Sequence, residues 1–266
     1  MDLGLKNKIV VVSGAAGKEG SIGETIIKKL ADEGAIPVLL DRDERGSAYA
    51  ENLKAKGIDA LFCKTDATNP QQVEAAVAEI MNKYGRIDVV VNNIGVNDGV
   101  GLEATYEEFM ESLKLNLASY FLLAKFALPH LKKSRGNILN TGSKVALTGQ
   151  GGTSGYAAAK GGVLALTREW AVDLIPYGIR CNAIVIAESF TPAYDDWLKT
   201  LPDGAAALAK INRSIPFEAR MTRPEEIADA ALFLISGRSS HTTGQFVFVD
   251  GGYVHLDRAL INSLNV

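Results

Sequence analysis

Residues 8–41 read KIVVVSGAAGKEGSIGETIIKKLADEGAIPVLLD, and this stretch decides the fold. An apolar run at 8–12 gives way to a turn with glycines at 14, 17, 20 and 23. A helical pattern follows, and a second apolar run at 36–40 ends on Asp41. Strand, glycine-rich turn, helix and strand in that order form one βαβ unit of a parallel sheet. Glycines permit positive φ and let the main chain approach a pyrophosphate, which then rests on the positive end of the helix. Asp41 lies 18 residues beyond Gly23. A carboxylate there accepts the ribose hydroxyls of NAD and repels the 2′-phosphate of NADP. The expected ligand is NAD. Arg42 and Lys18 are cations within reach of a phosphate, so NADP stays open as the alternative.

Outward from this unit the alternation continues. Runs at 87–91 (IDVVV), 137–141 (NILNT), 179–186 (IRCNAIVI) and 246–249 (FVFV) read as strands, with a weaker one near 60–64. Their continuous apolar character suits strands covered on both faces. Between them, Asn69, Pro70 and Gly85 mark the cap, first position and stop of one helix. Pro224, followed by Glu225 and Glu226, opens another. Residues 105–128 and 155–175 read as two longer, largely apolar helices. The stretch 188–222, interrupted by Pro192, Pro202 and Pro216, reads as an irregular lid over a site. With no repeat or linker, the expectation is a single domain over 1–266. Its fold class is α/β, a Rossmann-type doubly wound parallel sheet of about seven strands with helices on both faces, ending in a tail at 253–266.

Composition excludes several classes of function. The 266 residues carry 28 Lys+Arg against 31 Asp+Glu, a formal net charge of −3, so there is no basic footprint for nucleic acid or an anionic membrane surface. No apolar run approaches the roughly 18–20 residues that cross a bilayer. The opening MDLGLKNKIVVVSG does not read as a signal peptide. Two cysteines, Cys63 and Cys181, read as buried thiols in a reducing compartment. The chain is expected to be cytoplasmic, to act on a small molecule, and to have no nucleic-acid or membrane partner. No His/Cys/Asp group has metal-ligand spacing, so no metal is expected.

The chemistry is concentrated in residues 137–160, NILNTGSKVALTGQGGTSGYAAAK. Tyr156 and Lys160 are four apart and share one helix face. Ser143 lies 13 residues before Tyr156, just beyond a strand. A phenol with a reference pKa near 10 is a poor base at neutral pH. A nearby ammonium, with the positive nicotinamide of NAD, favours phenolate and lowers that value. Tyr156 is then a general base for an alcohol, and the Ser143 hydroxyl holds the substrate oxygen.

With these residues the chain resembles the short-chain dehydrogenase/reductase family in its compact single-domain branch, from the glycine turn to Val249-Asp250-Gly251-Gly252. The resemblance implies Tyr156-x-x-x-Lys160 as the catalytic pair, Ser143 as the substrate-orienting serine, and Asn116 as the helix asparagine of a proton relay. It implies cofactor contacts from Gly14, Gly17, Ser21, Ile22 and Gly23 in the turn, and from Asp41. Further contacts fall to Asp66 with Ala67 at the adenine, Asn93 and Gly95 of Asn92-Asn93-Ile94-Gly95, Tyr156, Lys160, and Thr191 near the carboxamide. It also implies hydride transfer at nicotinamide C4 and a homotetramer.

Two departures from the family pattern stand out. The glycine turn is three residues longer than G-x-x-x-G-x-G, leaving open which of Gly17, Gly20 and Ser21 meets phosphate. After the strand at 179–186, Ile186-Ala187 replaces the usual Pro-Gly and Glu188 follows. Glu188 at the rim of the nicotinamide site is the substrate candidate, a carboxylate able to accept hydrogen bonds from sugar hydroxyls. The segments NAIVIAESFTP, MDLGLKNK and VDGGYVHLDRAL resemble L-fucose-type sugar dehydrogenases within the family. That implies oxidation of an aldose or polyol carbinol, with His255 or Arg258 of the tail at a substrate or subunit contact. The alternatives are a 3-oxoacyl carrier-protein reductase and a nucleotide-binding sensor without catalysis.

Overall fold

The structure is a computed structural model and describes residues 2–257; Arg258 of the tail lies outside the described residues. The strands are β1 (Ile9–Ser13), β2 (Ile36–Asp41), β3 (Leu61–Lys64), β4 (Val89–Asn92), β5 (Asn137–Ser143), β6 (Arg180–Ile186) and β7 (Phe246–Val249). They form one sheet in the order β3-β2-β1-β4-β5-β6-β7, and every pair is parallel. This is the Rossmann-like doubly wound arrangement the sequence predicts, including the weak strand near 60–64.

Alternate side chains of a strand point to opposite faces, and β1 shows the consequence. Val10 and Val12 pack with Ile26, Ile27 and Leu30 of α1 (Ile22–Asp32) and with Ile227 and Ala231 of α9 (Pro224–Ile235). Ile9 and Val11 face the other way. They pack with Val73, Val77 and Ile80 of α3 (Pro70–Tyr84) and Leu123 and Leu131 of α5 (Ser119–Ser134). Burial on both faces is why the strand sequences read as unbroken apolar runs.

Two helical expectations are corrected. The helix expected over 105–128 is α4 (Tyr106–Leu113) and α5 joined by a π-helical turn at Lys114–Ala118, and it continues to Ser134. One extra residue per turn there moves Asn116 into a buried position beneath the loop after β4; such turns concentrate at functional sites. The stretch 188–222 is not irregular throughout, since it holds α7 (Pro192–Lys199) and α8 (Gly204–Arg213). Pro192 does not break a helix but starts one. Its missing N–H is an orphan at a first helical position, while the Thr191 hydroxyl caps Tyr194 N–H.

The chain reverses direction across the sheet between β1 and β4, which opens a crevice at their carboxyl ends. The long helix α6 (Ser154–Leu174) lies beside that crevice and packs on β5 and β6.

Candidate active site

A cleft of about 490 Å³ opens at this switch point. Its walls carry Gly14, Gly17, Ser21, Ile22, Gly23, Asp41, Asp66, Ala67, Asn93, Gly95 and Thr191, so eleven residues assigned to the cofactor from sequence meet in one place. Close backbone approach shapes it. A Cβ built on Gly23 falls 2.1 Å from the Gly14 carbonyl oxygen and 2.8 Å from Asn93 Nδ2. Only glycine lets α1 start this near the turn, and Asn93 Nδ2 donates to the Gly14 carbonyl at 3.0 Å.

The longer turn is closed from within. Gly20 N–H donates to Glu24 Oε2 at 3.1 Å, Ser21 N–H donates to the Lys18 carbonyl, and the Ser21 hydroxyl caps Glu24 N–H. The N–H groups of Gly20 and Ser21 are thus already engaged, which answers part of the question the extra residues raise. The N–H groups of Ile22 and Gly23 stand in the first turn of α1, where no carbonyl of the helix reaches them. These fit a pyrophosphate. Asp41 is oriented rather than loose. Its Oδ2 accepts from Ala16 N–H at 2.8 Å and its Oδ1 from Asp43 N–H at 3.1 Å, leaving lone pairs for ribose hydroxyls. Lys18 pairs with Asp196 on α7 and Asp66 Oδ1 accepts from Thr68.

Behind Gly95, which lines the cleft, the catalytic candidates gather. Ser143 is the last residue of β5, and its hydroxyl acts on the Tyr156 phenol, lowering its pKa. Tyr156 and Lys160 sit one turn apart at the start of α6. A Cβ on Gly95 falls 3.2 Å from Lys160 Nζ and 3.6 Å from the Tyr156 hydroxyl, so both groups press against one glycine of the loop after β4. Lys160 is fully buried and donates to the Thr141 carbonyl at 2.9 Å, the Ile94 carbonyl at 3.2 Å and the Tyr120 hydroxyl at 2.8 Å.

The electrostatics correct one expectation. The Tyr156 phenol is not depressed by the chain's own charges. Burial pushes it up to about 12, the Ser143 hydrogen bond pulls it down, and the negative charge of Asp98 raises it. Burial lowers Lys160 to about 7, so this ammonium is easily lost. Desolvation outweighs the neighbouring amine here, whose Nζ stands 5.6 Å from the Tyr156 ring centre.

Glu188 sits differently from the reading of the sequence, and Asn116 is locked into the loop after β4. The Asn116 side chain accepts from Val96 N–H at 2.8 Å and donates to the Val96 and Ser112 carbonyls, both at 3.1 Å. It braces the loop that carries Ile94 and Gly95, and the Ile94 carbonyl of that loop accepts from Lys160. Glu188 does not stand free at the rim. Its Oε1 pairs with Lys144, its Oε2 accepts from the Tyr194 hydroxyl at 2.9 Å, and Lys144 lies over the Tyr253 ring. Three residues of the site were missed from sequence: Tyr120, Lys144 and Tyr194. Tyr120 left a signal, being four residues after Asn116 and therefore on its helix face. Lys144 left none, because its partner comes from the end of a neighbouring strand. His255 of the tail packs edge-on against Phe248.

The comparisons agree with this geometry. A family model described as enoyl-(acyl carrier protein) reductase matches residues 14–254. An L-fucose dehydrogenase from Oryctolagus cuniculus is 39% identical, over 92% of this chain and 84% of its own. The crystal structure of a protein described as Cj0485 dehydrogenase superposes with a TM-score of 0.92 at 41% identity, covering 97% of this chain and 98% of that one. The Thermoplasma acidophilum aldohexose dehydrogenase in ligand-free form gives 0.86 at 30% identity, with 97% and 98% covered. With a Rossmann-like sheet, a nucleotide cleft and a serine–tyrosine–lysine cluster behind Gly95, this chain belongs to the short-chain dehydrogenase/reductase family, oxidoreductases that use a nicotinamide cofactor.

Proposed function

We propose that this oxidoreductase uses NAD to oxidise a carbinol of a neutral sugar or polyol, with an L-fucose-like aldose as the favoured substrate. The observation that carries the reading is the meeting of Tyr156 and Lys160 against Gly95, a wall of the nucleotide-shaped cleft, with Ser143 acting on the phenol. The names of the relatives support a sugar substrate, and Asp41 supports NAD over NADP.

When bound, nicotinamide supplies the hydride acceptor at C4 and a positive charge close to the phenol. Ile22 and Gly23 N–H would hold the pyrophosphate, Asp41 the adenosine ribose, and Lys160 the second ribose. The Ser143 hydroxyl holds the substrate oxygen. Tyr156 Oη takes the hydroxyl proton while the carbinol carbon gives up its hydride and becomes a carbonyl, a lactone where the carbinol is C1 of an aldose. Because its surroundings in the chain place Tyr156 near 12, burial foremost, it works as a base only where positive charge is gathered around it, from Lys160 and from the bound cofactor. The oxidation therefore quickens as pH rises until Lys160 loses its proton, and slows beyond that.

The test is NADH formation from a panel of aldoses and polyols, with acetoacetyl thioester and NADPH as the contrasting pair. Turnover of L-fucose or a related aldose with NAD supports the reading, and activity confined to the thioester overturns it.

A homotetramer in the cytoplasm completes the proposal. Tyr106, Met110 and Phe121 on α4 and α5, with Val172, Ile175 and Tyr177 at the end of α6, leave apolar surface exposed that subunit packing would cover. Both cysteines are buried free thiols, in keeping with a reducing compartment. Sedimentation as a stable monomer would contradict the assembly.

A further inference from the structure

Tyr120 has no part in the chemistry assigned above, yet it touches the centre of it. It is 1% exposed, on α5 one turn after Asn116. Its hydroxyl lies 2.7 Å from the Ile94 carbonyl, 3.1 Å from the Thr141 carbonyl and 2.8 Å from Lys160 Nζ. The same two carbonyls accept from Lys160. A phenol with one proton cannot donate to both carbonyls and to the ammonium, so towards Lys160 it is the acceptor. The three donors of the ammonium are thus matched by two carbonyls and one phenolic oxygen.

We propose that Tyr120 is a positioning residue that keeps Lys160 charged and aimed at the ribose and at Tyr156. An ammonium buried this deeply depends on each of its acceptors to remain protonated. The Ile94 contact at 3.2 Å is the longest of the three and is the one to yield when a ribose hydroxyl takes its place. Tyr120 and Thr141 then hold the amine while that exchange occurs. The groups facing this pair are Tyr156 from α6, Ser143 and the Thr141 carbonyl from β5, and the Ile94 carbonyl from the loop after β4. Asp98 acts on Tyr156 from farther along that loop. The inference rests on the proposed roles of Lys160 and Tyr156.

Tyr120→Phe tests it cleanly, because Lys160 still donates to both carbonyls and no acceptor is orphaned. The first readout needs no substrate: the Kd of NADH by fluorescence across pH 6–10. Lys160 grips the ribose as a cation, so binding weakens as pH rises through its pKa. Losing an acceptor lowers that pKa, and Tyr120→Phe must show the weakening at lower pH, by about one unit. The second readout is the pH profile of kcat/KM for L-fucose oxidation. Its alkaline limb must move down by about one unit, roughly tenfold in rate on the limb, with recovery at low pH. A thermal melt of each variant establishes folding, and Tyr120→Met, smaller and without a hydroxyl, serves if the phenylalanine variant is unfolded. Superimposable NADH profiles, or a loss of rate equal at every pH, overturn the inference. A Tyr156→Phe control that keeps its turnover would instead overturn the assignment of the base.

Discussion

Lys144 and Glu188 form an ion pair whose side chains are only 9% and 15% exposed, beside the catalytic serine and strapped to α7 through Tyr194. Replacing Lys144 by Met leaves the Glu188 carboxylate with one hydrogen-bond donor and little water. Removing one partner of a buried pair costs about 3–5 kcal/mol, because an uncompensated charge stays behind. In a domain of this size about 1 kcal/mol moves Tm by about 2–4 °C, so a drop on the order of 10 °C is expected. Lys144→Met with Glu188→Gln removes both charges while the new amide oxygen can still accept from Tyr194. That double variant should recover more than half of the loss, a coupling of about 2 kcal/mol in the cycle. The assay is urea denaturation with thermal melts at fixed protein concentration near neutral pH. The reasoning fails if Lys144→Met stays within about 1 kcal/mol of wild type, or if the double variant is the less stable of the two.

Three further outcomes follow from the site. Gly23→Ala drives a Cβ to 2.1 Å from the Gly14 carbonyl oxygen, and overpacking of about 1–3 kcal/mol should weaken NADH binding about tenfold or more in a fluorescence titration; an unchanged Kd contradicts the close approach. Asp41→Ser removes the carboxylate that repels a 2′-phosphate and should move the NADP-to-NAD ratio of kcat/KM upward by at least about tenfold, an unmoved ratio refuting that role. Lys160 titrates near 7 when folded and near 10.5 when unfolded, so the unfolded chain binds the extra proton between these values. Wild-type stability relative to Lys160→Met must therefore rise with pH across that window, by at most about 1.4 kcal/mol per unit; a fall would reverse the sign of the burial argument.

Most of the architecture is written locally in the chain, and for that reason was legible. KIVVV and IPVLL are apolar without alternation because both sheet faces are covered, and Asn69, Pro70 and Gly85 cap their helix as their side chains and φ preferences dictate. The nucleotide cleft was legible as well, since glycine spacing and a strand-end acid are constraints of the backbone. What escaped was of two kinds. The π turn at Lys114–Ala118 shifts register by a single residue, which a 3.6-residue pattern does not resolve. The partners of Glu188 and Lys160 come from the ends of other strands and another helix, so Glu188 read as a free acceptor although both its oxygens are engaged. The upward push of burial on Tyr156 was missed because the ammonium is visible in sequence and the desolvation is not.

The central claim is that the Tyr156 phenol takes the substrate proton. Tyr156→Phe, assayed for NADH formation from L-fucose alongside an independent measurement of NADH affinity, bears on it most directly. Loss of about 10²–10⁴-fold in kcat/KM with cofactor binding preserved is the expected result. A variant that keeps most of its turnover contradicts the account.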